Sequence, residues 1–331
     1  SLTQWPLLFQ FLLWLFAWSL IGAVLGIGCY YLTKNMRFAV SRSFIWTLYF
    51  AAILISPFCD MVFPKWSLLS FAPENESQLI NSNQMLTFPA LPALHNYQNI
   101  RADNALSLDQ GVVKKAYPIN GMLFVAYVIM GLIMMGIVVG GFLLLYNLAK
   151  TMVLSRQSSA LDLTERKIIE TMSSQMGIKR AIKVKVSSFV KVPATIGIIN
   201  PVLFLPREYT ALLFSHDYRG VLAHELAHVL RADYSRNIFA FCVSVLFWYN
   251  PVIWIAYRQL KKEIENASDD LAIITTGDRK GYAKALGNCA MMFSSLKLRL
   301  PVCSLCFFSR KPSVVERLKR SMVATPCGAK M

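Results

Sequence analysis

The chain has 331 residues, of which 55% are hydrophobic and only 16% charged, with a mean hydropathy of +0.45. Long uncharged runs of this kind exclude an ordinary soluble domain and place the chain among membrane proteins. A net charge of +16 would suit nucleic acid, but the basic residues are distributed as a membrane protein distributes them, so nucleic acid is not an expected partner.

Trp5–Leu32 is apolar for 28 residues, well beyond the roughly 20 needed to cross a bilayer, and reads as a first transmembrane helix. A signal peptide fits poorly, since no basic residue precedes the run and the run is too long. Lys34, Arg37 and Arg42 follow with no acid among them, which marks their loop as cytoplasmic and puts the N-terminus outside. Phe44–Phe63 reads as a second span, with a kink expected at Pro57 and Asp60 near its end. The first unit is thus 1–63.

Residues 64–118 carry four basic and four acidic residues with scattered Pro, Asn and Ser and no periodicity, the pattern of an extracytoplasmic loop. Its His95 is isolated, and Asn75-Glu76-Ser77 fits a glycosylation sequon that carries no meaning without a eukaryotic setting. Residues 119–148 read as the third span. Gly136 and Gly140 there, like Gly22 and Gly26 in the first span, form GxxxG pairs that allow helices to approach closely, although ordinary transmembrane glycine is an equal reading.

From 149 to 331 the composition is that of a soluble domain. Lys150–Arg236 holds 13 Lys or Arg against 7 Asp or Glu, which puts this segment on the same side as the first basic loop. Leu163–Met176 has helical spacing, and Ile182–Val186 alternates as a strand. Ala194–Ile199 and Val202–Leu205 read as two strands joined at Asn200-Pro201, and a strand just before the next helix could hold an extended peptide or simply pair within the domain.

Val221–Leu230 contains His224-Glu225-Leu226-Ala227-His228. On a helix the i,i+4 spacing stacks both imidazoles on one face, where one tetrahedral Zn²⁺ can take a nitrogen from each. Glu225 then stands beside the metal as the general base for water. Ser215 or Asp217 could cap the helix start, and His216 could act as a transition-state donor.

Such a site needs a third protein ligand, for which Glu265 is the candidate, with Glu263 and Asp270 as weaker alternatives. The apolar run between, Ile238–Tyr249 with Val252–Tyr257, resembles a fourth span by hydropathy. Crossing the bilayer there would strand Glu265 opposite the histidines. From Ile238 to Asn250 a helix rises only about 20 Å, and Pro251 ends it. The expectation is therefore a re-entrant apolar helical hairpin over 237–260 that returns Glu265 to the cytoplasmic side. Asp269, one turn on, can accept the free ring N–H of a ligand histidine. Trp248, Tyr249 and Trp254 could also anchor at the membrane interface.

HELAH, Arg231-Ala232-Asp233, Asn250-Pro251 with Trp254 and Arg258, and Glu265-Asn266-Ala267-Ser268-Asp269 resemble the membrane-embedded zinc metallopeptidases of the β-lactam sensor-transducer, or antirepressor, family. Pro193–Gly197 through Pro201–Pro206 is similar to the segment that precedes the zinc helix in that family. The resemblance implies an α-helical membrane protein with three transmembrane helices and a gluzincin-type α+β zinc metallopeptidase domain. It assigns His224, His228 and Glu265 to zinc, Glu225 to the base and Asp269 to orienting a ligand. Family members often have Cys where Ser268 stands, a position that is not a ligand.

The family's members also carry an external C-terminal penicillin-binding domain after a further span, and this chain reaches Met331 without either. Ala290–Phe308 is broken by Lys297, Arg299 and Pro301, so it is not expected to be a span. Penicillin sensing is accordingly not expected, and the 64–118 loop or a separate partner would supply any signal. Ser1 in place of Met points to trimming, with sequence missing at either end. Pro312–Met322 reads as a helix with a basic face, solvated or lying on anionic lipid. Cys303 and Cys306 form one CxxC without a second pair, and the seven cysteines suggest reduced thiols.

The function expected is zinc-assisted hydrolysis of a protein at the cytoplasmic face of a bacterial inner membrane, the substrate being a transcriptional repressor, a membrane protein or the chain itself. Two rivals remain: a general quality-control protease, and a non-catalytic transducer that holds zinc only for structure. The lipid bilayer is the other expected partner, with homo-oligomerisation left open.

Overall fold

The structure, a computed structural model, describes residues 7–62, 119–190, 193–207, 210–215, 218–294 and 314–323. The side chain of Asp60 and the residues Asn75–Ser77, His95, His216, Asp217, Cys303 and Cys306 lie outside what it describes. Two compact units are distinguished, 1–15 with 58–131, and 16–57 with 132–331. The first holds the beginning of α1, the end of α2 and the beginning of α3.

Three apolar runs form helices long enough to cross a membrane: α1 (Leu7–Lys34), α2 (Ala39–Val62) and α3 (Ile119–Arg156). Pro57 lies inside α2, which continues past it. α3 runs eight residues beyond the apolar stretch that ends at Leu148. Its last turns are held by the domain below: Leu154 packs with Val190, Ile196 and Phe204, and Lys185 Nζ donates to Ser155 Oγ at 2.9 Å.

A small sheet follows, of β1 (Ser159–Ala160), β2 (Lys183–Ser187), β3 (Ala194–Ile196) and β4 (Val202–Pro206), with α4 (Leu163–Gln175) between its first two strands. The order is β1-β2-β4-β3, with β2 and β4 parallel and the outer pairs antiparallel. β3 and β4 form the expected hairpin, pairing Thr195 with Leu203. Gly197 has φ 119°, and a Cβ there would stand 2.6 Å from the Asn200 carbonyl oxygen, so the turn needs glycine. Placed at the edge, β3 packs against the helix that carries the two histidines.

That helix is α6 (Arg219–Leu230), preceded by the single turn α5 (Thr210–Leu213). Ser215 does not cap it: its hydroxyl donates to Leu212 O at 2.7 Å, and α6 begins after Tyr218 with no side-chain cap. Leu222, Ala223, Leu226 and Ala227 pack with Leu203 and Leu205 of β4, Ile169 and Met172 of α4, and Ala272 and Ile273 further on. This core fixes α6 between the sheet and the helix that brings the carboxylates.

The apolar run beyond α6 is broken as its sequence predicts, giving α7 (Asp233–Leu246), a short turn, and α8 (Pro251–Thr276). Asn250 caps α8, its Oδ1 accepting from Val252 N at 2.9 Å, and Pro251 occupies the first turn, where a missing N–H costs nothing. Phe241, Phe247, Ile253, Tyr257 and Leu260 from this helical pair bury against Trp46, Tyr49 and Phe50 of α2. The GxxxG glycines also receive neighbours, Gly22 meeting Ile53, Gly26 meeting Val252, Gly136 meeting Trp248 and Gly140 meeting Val245. Trp248 Nε1 donates to Ile133 O at 3.0 Å, so this ring seats on α3. α9 (Arg279–Ser294) and α10 (Val314–Val323) complete the described chain.

Candidate metal centre

On α6, His224 and His228 share one face, and their Nε2 atoms approach to 3.2 Å. Glu265, on α8, brings Oε2 to 3.6 Å from His224 Nε2 and Oε1 to 3.9 Å from His228 Nε2. The donor atoms of these three residues all lie within 4.8 Å of one another. Bonds of 2.0–2.1 Å around a tetrahedral zinc would separate ligand atoms by about 3.3 Å, so the donor set fits such an ion in both chemistry and spacing. The alternatives are elsewhere: Glu263 pairs with Arg42 at 2.7 Å, and Asp270 with Arg320 at 2.6 Å.

The other nitrogen of each ring meets a carboxylate. His224 Nδ1 lies 3.0 Å from Asp269 Oδ1, and His228 Nδ1 lies 2.8 Å from Asp233 Oδ2. Each Nδ1–H donated in this way turns Nε2 inward, toward the third donor. Asp233 reaches His228 because the chain reverses at Ala232, which adopts the left-handed region at φ 52°. Ser268 Oγ, fully buried, stands 3.0 Å from His228 Nδ1 and donates to Ile264 O.

Glu225 lies on the same helix beside His224. Thr195 Oγ1, from the edge strand β3, donates to its Oε2 at 3.1 Å. Tyr282 Oη donates to Asp269 Oδ1 at 2.6 Å. Arg317, from α10, donates to both oxygens of Asp269, through Nε at 3.0 Å and Nη2 at 2.6 Å, and its Nη1 lies 3.1 Å from Glu265 Oε2.

Charge pairing decides the protonation of these groups. Burial would lower the His224 pKa, but hydrogen bonds with Asp269 and Glu265 outweigh it and raise the value to about 9. Burial would raise Glu265, yet Arg317 and the histidines hold it well below the usual carboxylate range. Asp269 is likewise held low by His224 and Arg317 against its burial, and Asp233 by His228, Arg231 and Arg236. The carboxylates therefore enter the site as anions.

The family described as BlaR1 peptidase M56 matches residues 13–319. The chain belongs to that family. The regulatory protein BlaR1 of Bacillus licheniformis is 35% identical over 138 residues, which is 41% of this chain and 22% of that protein. The methicillin resistance mecR1 protein of Staphylococcus aureus is 23% identical over 118 residues, 35% of this chain and 20% of that protein. The alignments thus span about a fifth of the relatives' length. Membership in the M56 family supports a metallopeptidase and implies a metal, and the His-His-Glu group is where the described residues could hold one. With three helices long and apolar enough to span, it also supports placement in the inner membrane.

The residues expected from HELAH and its downstream acids, His224, Glu225, His228, Glu265 and Asp269, are all brought to this centre or beside it. Asp233, Tyr282, Arg317 and Thr195 were not singled out for a role. Asp233 had a signal, since a carboxylate just past the end of a two-histidine helix can fold back onto it. Arg317 had none, because nothing in a helix reading ERLKR tells one base from its neighbours.

Proposed function

We propose that the protein is a zinc metalloendopeptidase of the gluzincin type. It would cleave a protein substrate at the cytoplasmic face of the membrane and signal by regulated proteolysis. The observation that carries this reading is the convergence of His224 Nε2, His228 Nε2 and Glu265 within 4.8 Å of one another, with a carboxylate on each outward ring nitrogen. In this reading His224, His228 and Glu265 would hold zinc, and Asp269 and Asp233 orient the imidazoles. When bound, the metal supplies a Lewis acid for the scissile carbonyl and for the attacking water. Glu225 takes the proton from that water as it adds to the carbonyl carbon and gives it to the amine that leaves when the C–N bond breaks. Thr195 fixes the carboxylate that makes this transfer.

The helical pair α7 and α8 is read as the re-entrant hairpin, covered by the spans, with the N-terminus outside. The basic loop of Lys34, Arg37 and Arg42 and the basic balance of 150–236 support that orientation. Cysteines introduced at Arg37 and Asp278 are both expected to be shielded from an impermeant thiol reagent in intact cells. Labelling of either would overturn the orientation. The relatives, a regulatory protein and a methicillin resistance protein, favour a regulatory target, a repressor or the chain itself, over general turnover.

Wild type and Glu225→Gln, co-expressed with candidate cytoplasmic proteins, make the decisive comparison. Cleavage is expected only with wild type, while both forms retain zinc. Equal cleavage by both would end the protease reading. Many unfolded clients trapped by Glu225→Gln would point to quality control, and zinc binding with no Glu225-dependent cleavage of any client to a non-catalytic transducer.

A further inference from the structure

α10 is a ten-residue helix whose charged face is tied to the domain at several points. Arg320 donates to Asn266 O at 2.9 Å and to Asp270 Oδ2 at 2.6 Å, Lys262 pairs with Glu316, and Arg279 donates to the buried Ser321 carbonyl at 3.0 Å. Between these anchors Arg317 leaves the surface, its side chain only 11% exposed, and ends among the acids of the metal centre. Its contacts there are Asp269 Oδ2 and Oδ1, Glu265 Oε2 and, at 3.4 Å, His224 Nε2.

The geometry points to Arg317 as a positioning residue of the metal centre, setting the planes of the Asp269 and Glu265 carboxylates at once. This rests on reading His224, His228 and Glu265 as the metal ligands. Asp269 Oδ1 serves three partners: His224 Nδ1, Tyr282 Oη and Arg317 Nη2. With Nε on the second oxygen, the planar guanidinium leaves Asp269 a single orientation, the one in which its Oδ1 receives the His224 ring. The remaining Nη1 holds Glu265 Oε2, the oxygen that also faces His224 Nε2 at 3.6 Å. A lysine could keep the charge but not the fork.

A cationic group beside a metal ion opposes binding, so two effects compete. Asp269 neutralises most of the guanidinium charge as an ion pair, which leaves a weak dipolar field, whereas loss of an orienting partner of a ligand costs about 10–100-fold in metal affinity. The orienting effect is the larger. Removing Arg317 therefore weakens metal binding.

The test uses the full chain purified in detergent, with zinc itself as the probe, titrated against a chromophoric chelator, and with cobalt(II) in place of zinc for its visible absorption. Arg317→Gln is expected to bind zinc about 10–100-fold more weakly and to change the cobalt spectrum. Arg317→Lys should lose several-fold, less than Gln. Glu316→Gln, which breaks an exposed pair on the same helix, should match wild type. If Arg317→Gln does not fold, as judged by thermal unfolding, Arg317→Lys carries the comparison. A zinc curve and cobalt spectrum that superimpose on wild type, or a tighter zinc curve, would overturn the role of Arg317. Zinc binding that His224→Ala leaves intact would instead overturn the ligand reading, so the two failures are told apart.

Discussion

Asp233 and Asp269 flank the imidazole pair from opposite ends, and each is an anion only because basic groups outweigh its burial. Their folded pKa values lie below the unfolded value of about 3.9, so each contributes stability above that pH and loses it as pH falls through the folded value. On chelator-treated protein, the unfolding midpoint should fall steadily as pH drops below about 4, and Asp269→Asn should flatten that dependence. Asp233→Asn, which replaces the anionic acceptor for His228 with a neutral amide, should weaken zinc by about 10–100-fold in chelator competition. Cys289 offers a different check. Burial pushes its thiol up to about 11, so at pH 8 iodoacetamide should leave it unmodified until denaturant is added. At this scale the sequence was legible where chemistry is local. His224, Glu225 and His228 are fixed by helix period alone, whereas Tyr282 and Arg317 arrive from 54 and 89 residues beyond His228 and depend on how α9 and α10 dock.

Among the elements, the break between α7 and α8 matters most to the site, because it determines where Glu265 ends. Pro251 and Asn250 announce it in the sequence, one by forbidding continued helix and the other by supplying a cap. Asn250 also donates to Ser19 O of α1 at 3.3 Å, a partner no local signal could name. Asn250→Ala should lower stability by about 1–2 kcal/mol, read as a shift of the thermal midpoint in detergent. The helix ends were less legible. α3 extends past its apolar stretch because Leu154 finds a core in the sheet, and α6 starts without the side-chain cap its upstream residues suggested. In both cases tertiary packing overrode the local pattern. The left-handed Gly277, φ 68°, closes α8.

Across the second unit, α2 and the peptidase helices share both a core and a buried ion pair. Arg42 Nε donates to Glu263 Oε2, and Glu263 also accepts from Gln259 and Asn266. Arg42→Gln leaves a buried carboxylate without its cation and should destabilise the protein by about 3 kcal/mol. The double variant with Glu263→Gln should recover part of that loss, measured by denaturant unfolding in mixed micelles. The basic loop shows its charge in the sequence, but the reach of Arg42 to Glu263, 221 positions away, was not legible there. Only the packing of α2 on α8 reports that partner.

α8 is one uninterrupted rod of 26 residues, lodged against α1 and α2 at its beginning and offering Glu265 to the histidines farther along. From Asn250 to Glu265 it rises about 22 Å. A swing of about 5° around the Asn250 end would carry the carboxylate sideways by about 2 Å, the length of a single bond to zinc. A tilt of this rod is thus felt at Glu265 as a displacement comparable with the bond that the proposed ligand would make.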